Sequence, residues 1–125
     1  TMACVSEAIG LALPYSSGTP APYKERDKYA YASGKAVMSL LKKNIRPRDI
    51  VTLKSLQNAA TIVAATGGST NAALHLPAIA NECGIKFAIF DVLSLTELVF
   101  GLDREDFPIG FWSINSILEY LLVFI

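Results

Sequence analysis

The chain has 125 residues, of which 52% are apolar, and its acidic and basic residues balance to a formal net charge of zero. A chain of this length and apolar content suits one domain with a single core. A neutral chain with interspersed charges lacks the basic surface that binds nucleic acid or an anionic membrane, so neither partner is expected.

Cysteine and histidine usage excludes two further classes of protein. Cys4 and Cys83 are the only cysteines and form no CxxC pair, and His75 is the sole histidine. Neither a disulfide scaffold nor a self-contained zinc site is therefore expected. The first ten residues contain Glu7 and lack the basic start of a signal peptide, so a reducing, cytoplasmic location is expected.

Two helices separated by a loop are predicted in the first third of the chain. Small and apolar residues extend from residue 1 to residue 13, where Pro14 ends a helix that would already be under way at Thr1. Residues 15–23 are rich in Ser, Gly, Thr and Pro, so they predict a surface loop. Residues 27–43 follow helical periodicity. The apolar face of this second helix is predicted to be Tyr29, Ala32, Ala36, Val37, Leu40 and Leu41.

A third helix is predicted over residues 53–65. Thr52 suits its N-cap, because a threonine hydroxyl can accept a hydrogen bond from a free backbone amide of the first turn. Gly67 and Gly68 are predicted to end it. Its buried stripe is predicted to be Leu56, Ala59, Ala60, Ile62 and Val63.

A fourth helix is predicted over residues 70–83, followed by a short strand. Ser69 suits the N-cap and Gly84 the exit, while Pro77 removes one backbone donor and should kink the helix or delay its regular start. Residues 85–92 are rich in Ile, Phe and Val, which favours a short buried strand near residues 85–90. The sequence thus predicts a mainly helical piece with one short strand.

The composition changes from residue 92 onwards. Residues 109–125 are strongly apolar, but these 17 residues fall short of the stretch of about 20 that a membrane-spanning helix needs. A membrane span is therefore not expected. One helical face would carry apolar residues throughout, so docking onto the body of the protein or self-association is expected. That face consists of Phe111, Ile114, Ile117, Leu118, Leu121 and Leu122.

The paired glycines between the third and fourth helices are the strongest candidate for a binding site. Glycines let the backbone approach a ligand closely, and a helix N-terminus offers unpaired N–H groups and the positive end of its dipole. An anion such as a substrate carboxylate suits such a turn. The alternative is a tight connection between two helices, with Ser69 acting only as a cap.

The same turn carries a resemblance to a known family. The run TGGSTN at residues 66–71, followed by LHL at 74–76, resembles the signature of the dihydroxy-acid and phosphogluconate dehydratase family. The runs TMAC at residues 1–4 and EAIGL at 7–11 resemble a second segment of that family, and NIRPRDI at 44–50 lies between them in the expected order. The resemblance covers residues 1–91, which are expected to be part of the N-terminal domain, whereas residues 92–125 form a divergent tail.

This resemblance implies an α/β enzyme of which the chain is an internal piece. Family members remove water from dihydroxy acids or sugar acids, with an iron–sulfur cluster as Lewis acid and a divalent ion, usually Mg²⁺. The cluster cysteines, the magnesium-binding acids and the catalytic base belong to family segments absent here, so no catalytic or metal-binding residue is assigned. Cys4 and Cys83 are expected to be packed structural residues.

The resemblance does place one set of residues near the substrate cleft. These candidate substrate-binding residues are Gly67, Gly68, Ser69, Thr70 and Asn71. His75 follows Ser69 by roughly 1.7 helical turns, so it need not face the same cleft, and a packed, hydrogen-bonded histidine is expected.

Two other patterns have plainer interpretations. Tyr31 and Lys35 have the spacing found in short-chain dehydrogenases, but no glycine-rich nucleotide turn precedes them, so the match is treated as coincidental. Lys42, Lys43, Arg46 and Arg48 could contact phosphates, but cations that complement a helix dipole explain them better.

The sequence therefore predicts a piece of a hydro-lyase resembling dihydroxy-acid dehydratase, in branched-chain amino-acid synthesis, and inactive alone. The intact enzyme is expected to be a homodimer that acts on a small dihydroxy acid. The alternative is a non-catalytic remnant, or an interaction module that associates through its apolar tail.

Overall fold

The computed structural model describes residues 1–88 and residue 91. Five helices are present in this part of the chain. They are α1 (Met2–Ala8), α2 (Glu25–Lys42), α3 (Pro47–Ile50), α4 (Leu53–Ala65) and α5 (Thr70–Glu82). None of these described helices has both the length and the apolar character needed to cross a bilayer.

The core lies where α1, α4 and α5 pack against one another. Leu56 on α4 and Leu76 on α5 are both fully buried. The alanines 59, 60, 72 and 80 are also fully buried, and such small side chains let the helix backbones approach closely. Val5 and Ile9, Val51, Val63 and Phe87 complete the buried cluster.

The predicted stripe of α4 is confirmed at four of its five positions. Leu56, Ala59, Ala60 and Val63 are buried, as predicted. Ile62 is 37% exposed, and Ala64 is buried instead. The buried arc of α4 is therefore rotated by about 50° relative to the prediction, away from Ile62 and towards Ala64.

Both predicted N-caps are confirmed. The Thr52 hydroxyl accepts a hydrogen bond from the Ser55 amide at 3.1 Å, and the Ser55 hydroxyl is 2.9 Å from the Thr52 amide, which donates to it. The Ser69 hydroxyl accepts from the Ala72 amide at 3.3 Å. These bonds satisfy donors that a helix cannot satisfy internally, so they fix where α4 and α5 begin.

The first helix is shorter than predicted, because it ends at Ala8 and not near residue 13. Gly10 has φ +85°, and the amides of Gly10 and Leu11 donate to the carbonyls of Glu7 and Ser6. This pair of bonds is a Schellman motif, which closes the helix four residues before Pro14 can act.

The second helix forms as predicted, but its predicted burial is wrong. No residue of α2 is buried, and within the predicted face Val37 and Leu41 are 54% and 67% exposed. Tyr29, Ala36 and Leu40 are half-buried. The 3.6-residue period identifies the helix, but it does not establish that another described element packs on it.

The strand expected over residues 85–90 is not observed in its first four residues. Residues 85–88 have no strand structure, and residues 89 and 90 lie outside the described part of the chain. A strand is stabilised by ladder hydrogen bonds to a neighbouring strand, and residues 1–88 supply no such neighbour. Pro77 lies inside α5, which begins at Thr70, so the alternative of a delayed start is wrong and the kink stays a prediction.

Candidate functional site

The glycine turn between α4 and α5 is built by a second Schellman motif. The Gly67 amide donates to the Ala64 carbonyl at 3.1 Å, and the Gly68 amide donates to the Val63 carbonyl at 2.9 Å. Gly67 and Gly68 have φ values of +90° and +88°, which residues with a Cβ rarely adopt. The two glycines therefore allow α5 to begin directly after α4 ends.

The start of α5 presents unpaired donors next to these glycines. Within the described part of the chain, the amides of Thr70 and Asn71 have no hydrogen-bond acceptor. Gly67, Gly68, Thr70 and Asn71 are exposed, and Ser69 is half-buried. The structure thus brings the five predicted residues into one exposed turn at the positive end of a helix dipole.

The charge around this turn is favourable for an anion. The sequence contains no Asp or Glu between Asp49 and Glu82, so no acidic residue of α4 or of α5 before its last position opposes a negative ligand. Free amides at a helix N-terminus are suitable donors to a carboxylate. The arrangement can hold an anion, but it contains no acid or base for catalysis.

His75 does not have the environment predicted for it. Its side chain is exposed and makes no hydrogen bond within the described residues. Ala72, Leu76 and Ala80 define the buried face of α5, and His75 lies outside the arc that they span. The expectation of a packed, hydrogen-bonded histidine is therefore wrong.

The cysteines do not form a metal centre with other described residues. Cys4 and Cys83 are both free and half-buried, and Cys83 packs against the core. The described part of the chain contains no group of three or more His, Cys, Asp or Glu residues that could hold a metal ion. These residues do not fit an iron–sulfur cluster or a magnesium site.

Glu7 is a structural residue that the sequence prediction missed. Its carboxylate accepts hydrogen bonds from the Tyr15 amide at 2.7 Å, from the Ser17 amide at 3.0 Å and from the Ser17 hydroxyl. The bond from the Ser17 side chain, followed by those from the two amides, lowers the pKa of Glu7. An acidic residue near the end of a helix, followed by a loop rich in serine, is the sequence feature that could have predicted these hydrogen bonds.

Of the four cations at residues 42–48, the two arginines are paired with acids. Arg46 contacts Asp49 at 3.1 Å and Arg48 contacts Glu82 at 3.2 Å, so the second pair connects α3 to the last residue of α5. In the first pair, the hydrogen bond between the side chains of Arg46 and Asp49 raises the pKa of Arg46 and lowers the pKa of Asp49. Lys42 lies in the last turn of α2, as the dipole interpretation requires, whereas the arginines act as partners of carboxylates.

Comparison with known proteins identifies the family. The family model described as dihydroxy-acid/6-phosphogluconate dehydratase N-terminal matches residues 1–103. The chain belongs to this dehydratase family. This result confirms the resemblance carried by the glycine turn.

Several curated relatives of the dehydratase family are similar to this chain. A dihydroxy-acid dehydratase from Pelagibacter ubique is 83% identical over 95 residues, which are 76% of this chain and 17% of the relative. A dihydroxy-acid dehydratase 2 from Mesorhizobium japonicum is 70% identical over 97 residues, which are 78% of this chain and 17% of that protein. The chain therefore spans about one sixth of the length of these relatives.

Proposed function

We propose that this chain is a segment of a hydro-lyase that dehydrates 2,3-dihydroxy acids to 2-keto acids in the synthesis of isoleucine and valine. The observation that carries this proposal is the family match, together with 83% identity to a protein named dihydroxy-acid dehydratase. The same match favours a segment of an enzyme over a non-catalytic interaction module. We propose that the intact enzyme has an α/β fold and is a homodimer.

Within this enzyme, we propose that Gly67, Gly68, Ser69, Thr70 and Asn71 contact the carboxylate of the substrate. The free amides of Thr70 and Asn71 would donate to its oxygens, and the two glycines would leave room for the ligand beside the backbone. The turn would bind and orient the dihydroxy acid as one wall of the cleft. Binding through the carboxylate would leave the α-hydrogen and the β-hydroxyl free to react.

Dehydration also requires a base for the α-proton and a group that assists departure of the hydroxyl. We assign neither role to a described residue of this chain. The iron–sulfur cluster and Mg²⁺ implied by the family would be held by other parts of the enzyme. We therefore propose that the chain is inactive alone, with residues 1–91 as its dehydratase part and residues 92–125 as a tail.

The first experiment replaces the matched segment of the Pelagibacter ubique relative with residues 1–91 of this chain. We expect the chimera to dehydrate 2,3-dihydroxyisovalerate, because the relative supplies the missing catalytic groups. The separate 125-residue chain, supplied with iron, sulfide and Mg²⁺, should show no activity. A folded chimera that carries its cluster but does not turn over the substrate would contradict the proposed function.

The second experiment tests the glycine turn in that chimera with Ser69→Asp. Aspartate is as good an N-cap as serine, so α5 should be retained, while its charge should repel a bound carboxylate. This repulsion should cost the substrate carboxylate at least one of its hydrogen bonds from the amides of the turn. A hydrogen bond to a charged group is worth about 1.5–3 kcal/mol, so KM should rise about tenfold or more.

The matched control is Thr52→Asp, which changes the N-cap of α4 in the same way. It should leave KM close to that of the unmodified chimera, because Thr52 is not in the proposed site. Equal effects of the two variants on KM would show that the glycine turn is not part of the substrate cleft. The assignment of the chain to the family would still hold.

A further inference from the structure

Residues 15–19, which we call the strap, are held by charged side chains from both neighbouring helices. On the α1 side, the Glu7 carboxylate accepts its three hydrogen bonds from Tyr15 and Ser17. On the α2 side, Arg26 donates to two backbone carbonyls of the strap. Hydrogen bonds that involve a charged group are stronger than bonds between neutral groups. The strap therefore ties the end of α1 to the start of α2.

Arg26 makes the tie on the α2 side. Its guanidinium donates to the Ser16 carbonyl at 3.3 Å and to the Thr19 carbonyl at 2.8 Å. Within the described part of the chain, no other side chain of α2 makes a hydrogen bond or an ion pair with a residue outside that helix. Arg26 is thus the one polar link from the side chains of α2 to the rest of the described residues.

Packing holds α2 less firmly than it holds the other long helices. The core is built from α1, α4 and α5, and no residue of α2 is buried. The face of α2 that is turned inwards carries Tyr29, Ala36 and Leu40, which are only half-buried. Elements with few buried apolar contacts open at a lower free-energy cost than core elements do. The position of α2 relative to the core therefore depends strongly on the strap.

The length of α2 makes it a lever. Its 18 residues are about 27 Å long, at a rise of about 1.5 Å per residue. At its far end, only residues 43–46 connect it to α3. A tilt of about 10° around this short connection would move the first turn of α2 by about 5 Å. A tie at the first turn, where Arg26 lies, is therefore well placed to fix the angle of the helix.

Tyr15 introduces strain into the strap. Its φ of +68° lies in the left-handed region, which residues with a Cβ rarely adopt. The side chain is 79% exposed, so packing of the ring does not account for this conformation. The Tyr15 amide donates to the Glu7 carboxylate at 2.7 Å, and this bond offsets the strain. Without it, Tyr15 would relax to a negative φ and the direction of the chain would change there.

We propose that the strap is a conformational device that sets the angle between α2 and the core formed by α1, α4 and α5. With both ties made, α2 is held in the observed position. When either tie is broken, relaxation at Tyr15 redirects the strap and α2 pivots about residues 43–46, while every helix remains folded. This inference does not rest on the proposed dehydratase function.

Distances between spin labels on α2 and on the core test the proposal in the full 125-residue chain. Cys4→Ala and Cys83→Ala remove the native thiols. One label is attached at Leu74→Cys on α5, and the other at Ala30→Cys near the start of α2 or at Leu41→Cys near its end; all three positions are exposed. Double electron–electron resonance should give a narrow distance distribution for both pairs.

Glu7→Gln and Arg26→Met each weaken one tie. Either variant should raise the fraction of altered distances severalfold for the pair that includes Ala30. The pair that includes Leu41 should change less, because Leu41 lies close to the pivot. Combining the two variants should add little, because each of them already releases the strap.

Tyr15→Asn tests the role of the strained residue. Asparagine adopts a positive φ more readily than tyrosine, so the strap should stay closed in this variant. Adding Glu7→Gln to it should then change the distances less than Glu7→Gln does alone, because less strain remains to be released.

Two controls separate a pivot from a loss of structure. Glu82→Gln breaks an exposed ion pair outside the strap and should leave both distributions narrow. Labels at Leu53→Cys on α4 and Leu74→Cys on α5 report on the core, and their distance should not respond to either strap variant. Far-UV circular dichroism should show the same helical content throughout.

Three results would overturn the proposal. The first is a broad distribution for the Ala30 pair with both ties intact, and the second is no change in either Glu7→Gln or Arg26→Met. The third is equal broadening of the Ala30 pair, the Leu41 pair and the core pair, because that pattern indicates unfolding and not a pivot.

Discussion

At the scale of single residues, Glu7 fixes the loop between α1 and α2 through three hydrogen bonds. Replacing it as Glu7→Gln removes the charge and leaves one acceptor oxygen, so the loop should open more often. Tyr15 and Tyr23 in this loop are 79% and 59% exposed and are suitable sites for chymotrypsin. We expect faster cleavage there in Glu7→Gln than in Glu82→Gln, which breaks only an exposed ion pair. Equal cleavage rates would show that Glu7 does not hold the loop.

The same carboxylate predicts a pH dependence. The pKa of Glu7 in the folded chain is below its ordinary value of 4.5, because the charged form accepts the bond from the Ser17 hydroxyl and two further bonds. Its contribution to stability is therefore present above pH 4.5 and is lost as the pH falls through the lower, folded pKa. Amide chemical shifts of Tyr15 and Ser17, followed by NMR, should titrate with a midpoint below 4.5. A midpoint at or above that value would contradict the hydrogen-bonded geometry.

Individual residues were predictable where the interaction is local in sequence. The hydroxyls of Thr52 and Ser69 each accept a hydrogen bond from an amide three residues away, so their capping roles follow from residue type and position. Glu7 and Ser17 are ten residues apart, and their contact depends on the path of an irregular loop. The exposure of His75 depends on which side of α5 faces the core, and local spacing did not establish that orientation.

At the scale of helices, a change of glycine to alanine should destabilise the chain at a helix end and stabilise it inside a helix. Gly84 has φ +70° after α5, so Gly84→Ala should destabilise the chain by about 1–2 kcal/mol. Gly34 lies inside α2 with open space around its Cβ position, so Gly34→Ala should stabilise that helix by about 1 kcal/mol. Thermal unfolding followed by circular dichroism can measure both changes. Destabilisation by both substitutions would show that α2 is packed more tightly at Gly34 than the structure indicates.

The helices were predicted more completely than their packing. Hydrophobic period and caps located α2, α4 and α5 to within two residues at each end. The end of α1 was predicted too late, because the turn at Gly10 closes the helix before Pro14. The strand required a partner that residues 1–88 do not contain, and periodicity within a segment carries no information about such a partner.

At the scale of the whole molecule, the core depends on a few large side chains set among alanines. Leu56 and Leu76 are fully buried, and much of the remaining α4 and α5 interface is alanine. Neighbouring alanine side chains are too short to fill the space that a removed leucine leaves. The glycine turn is held between these same two helices, so its geometry depends on this interface.

Leu76→Ala tests that dependence, and Leu74→Ala on the same helix is its matched control. Leu76 is 0% exposed and Leu74 is 51% exposed, although the chemical change is identical. The buried substitution should cost about 2–5 kcal/mol, because it leaves a cavity as well as losing apolar burial. Small domains are commonly stable by only about 5–15 kcal/mol, so urea unfolding should show a large loss for Leu76→Ala and a small one for Leu74→Ala. Similar losses would mean that α5 packs with a different face against α4, and the orientation of the amides at its start would then have to be reassigned.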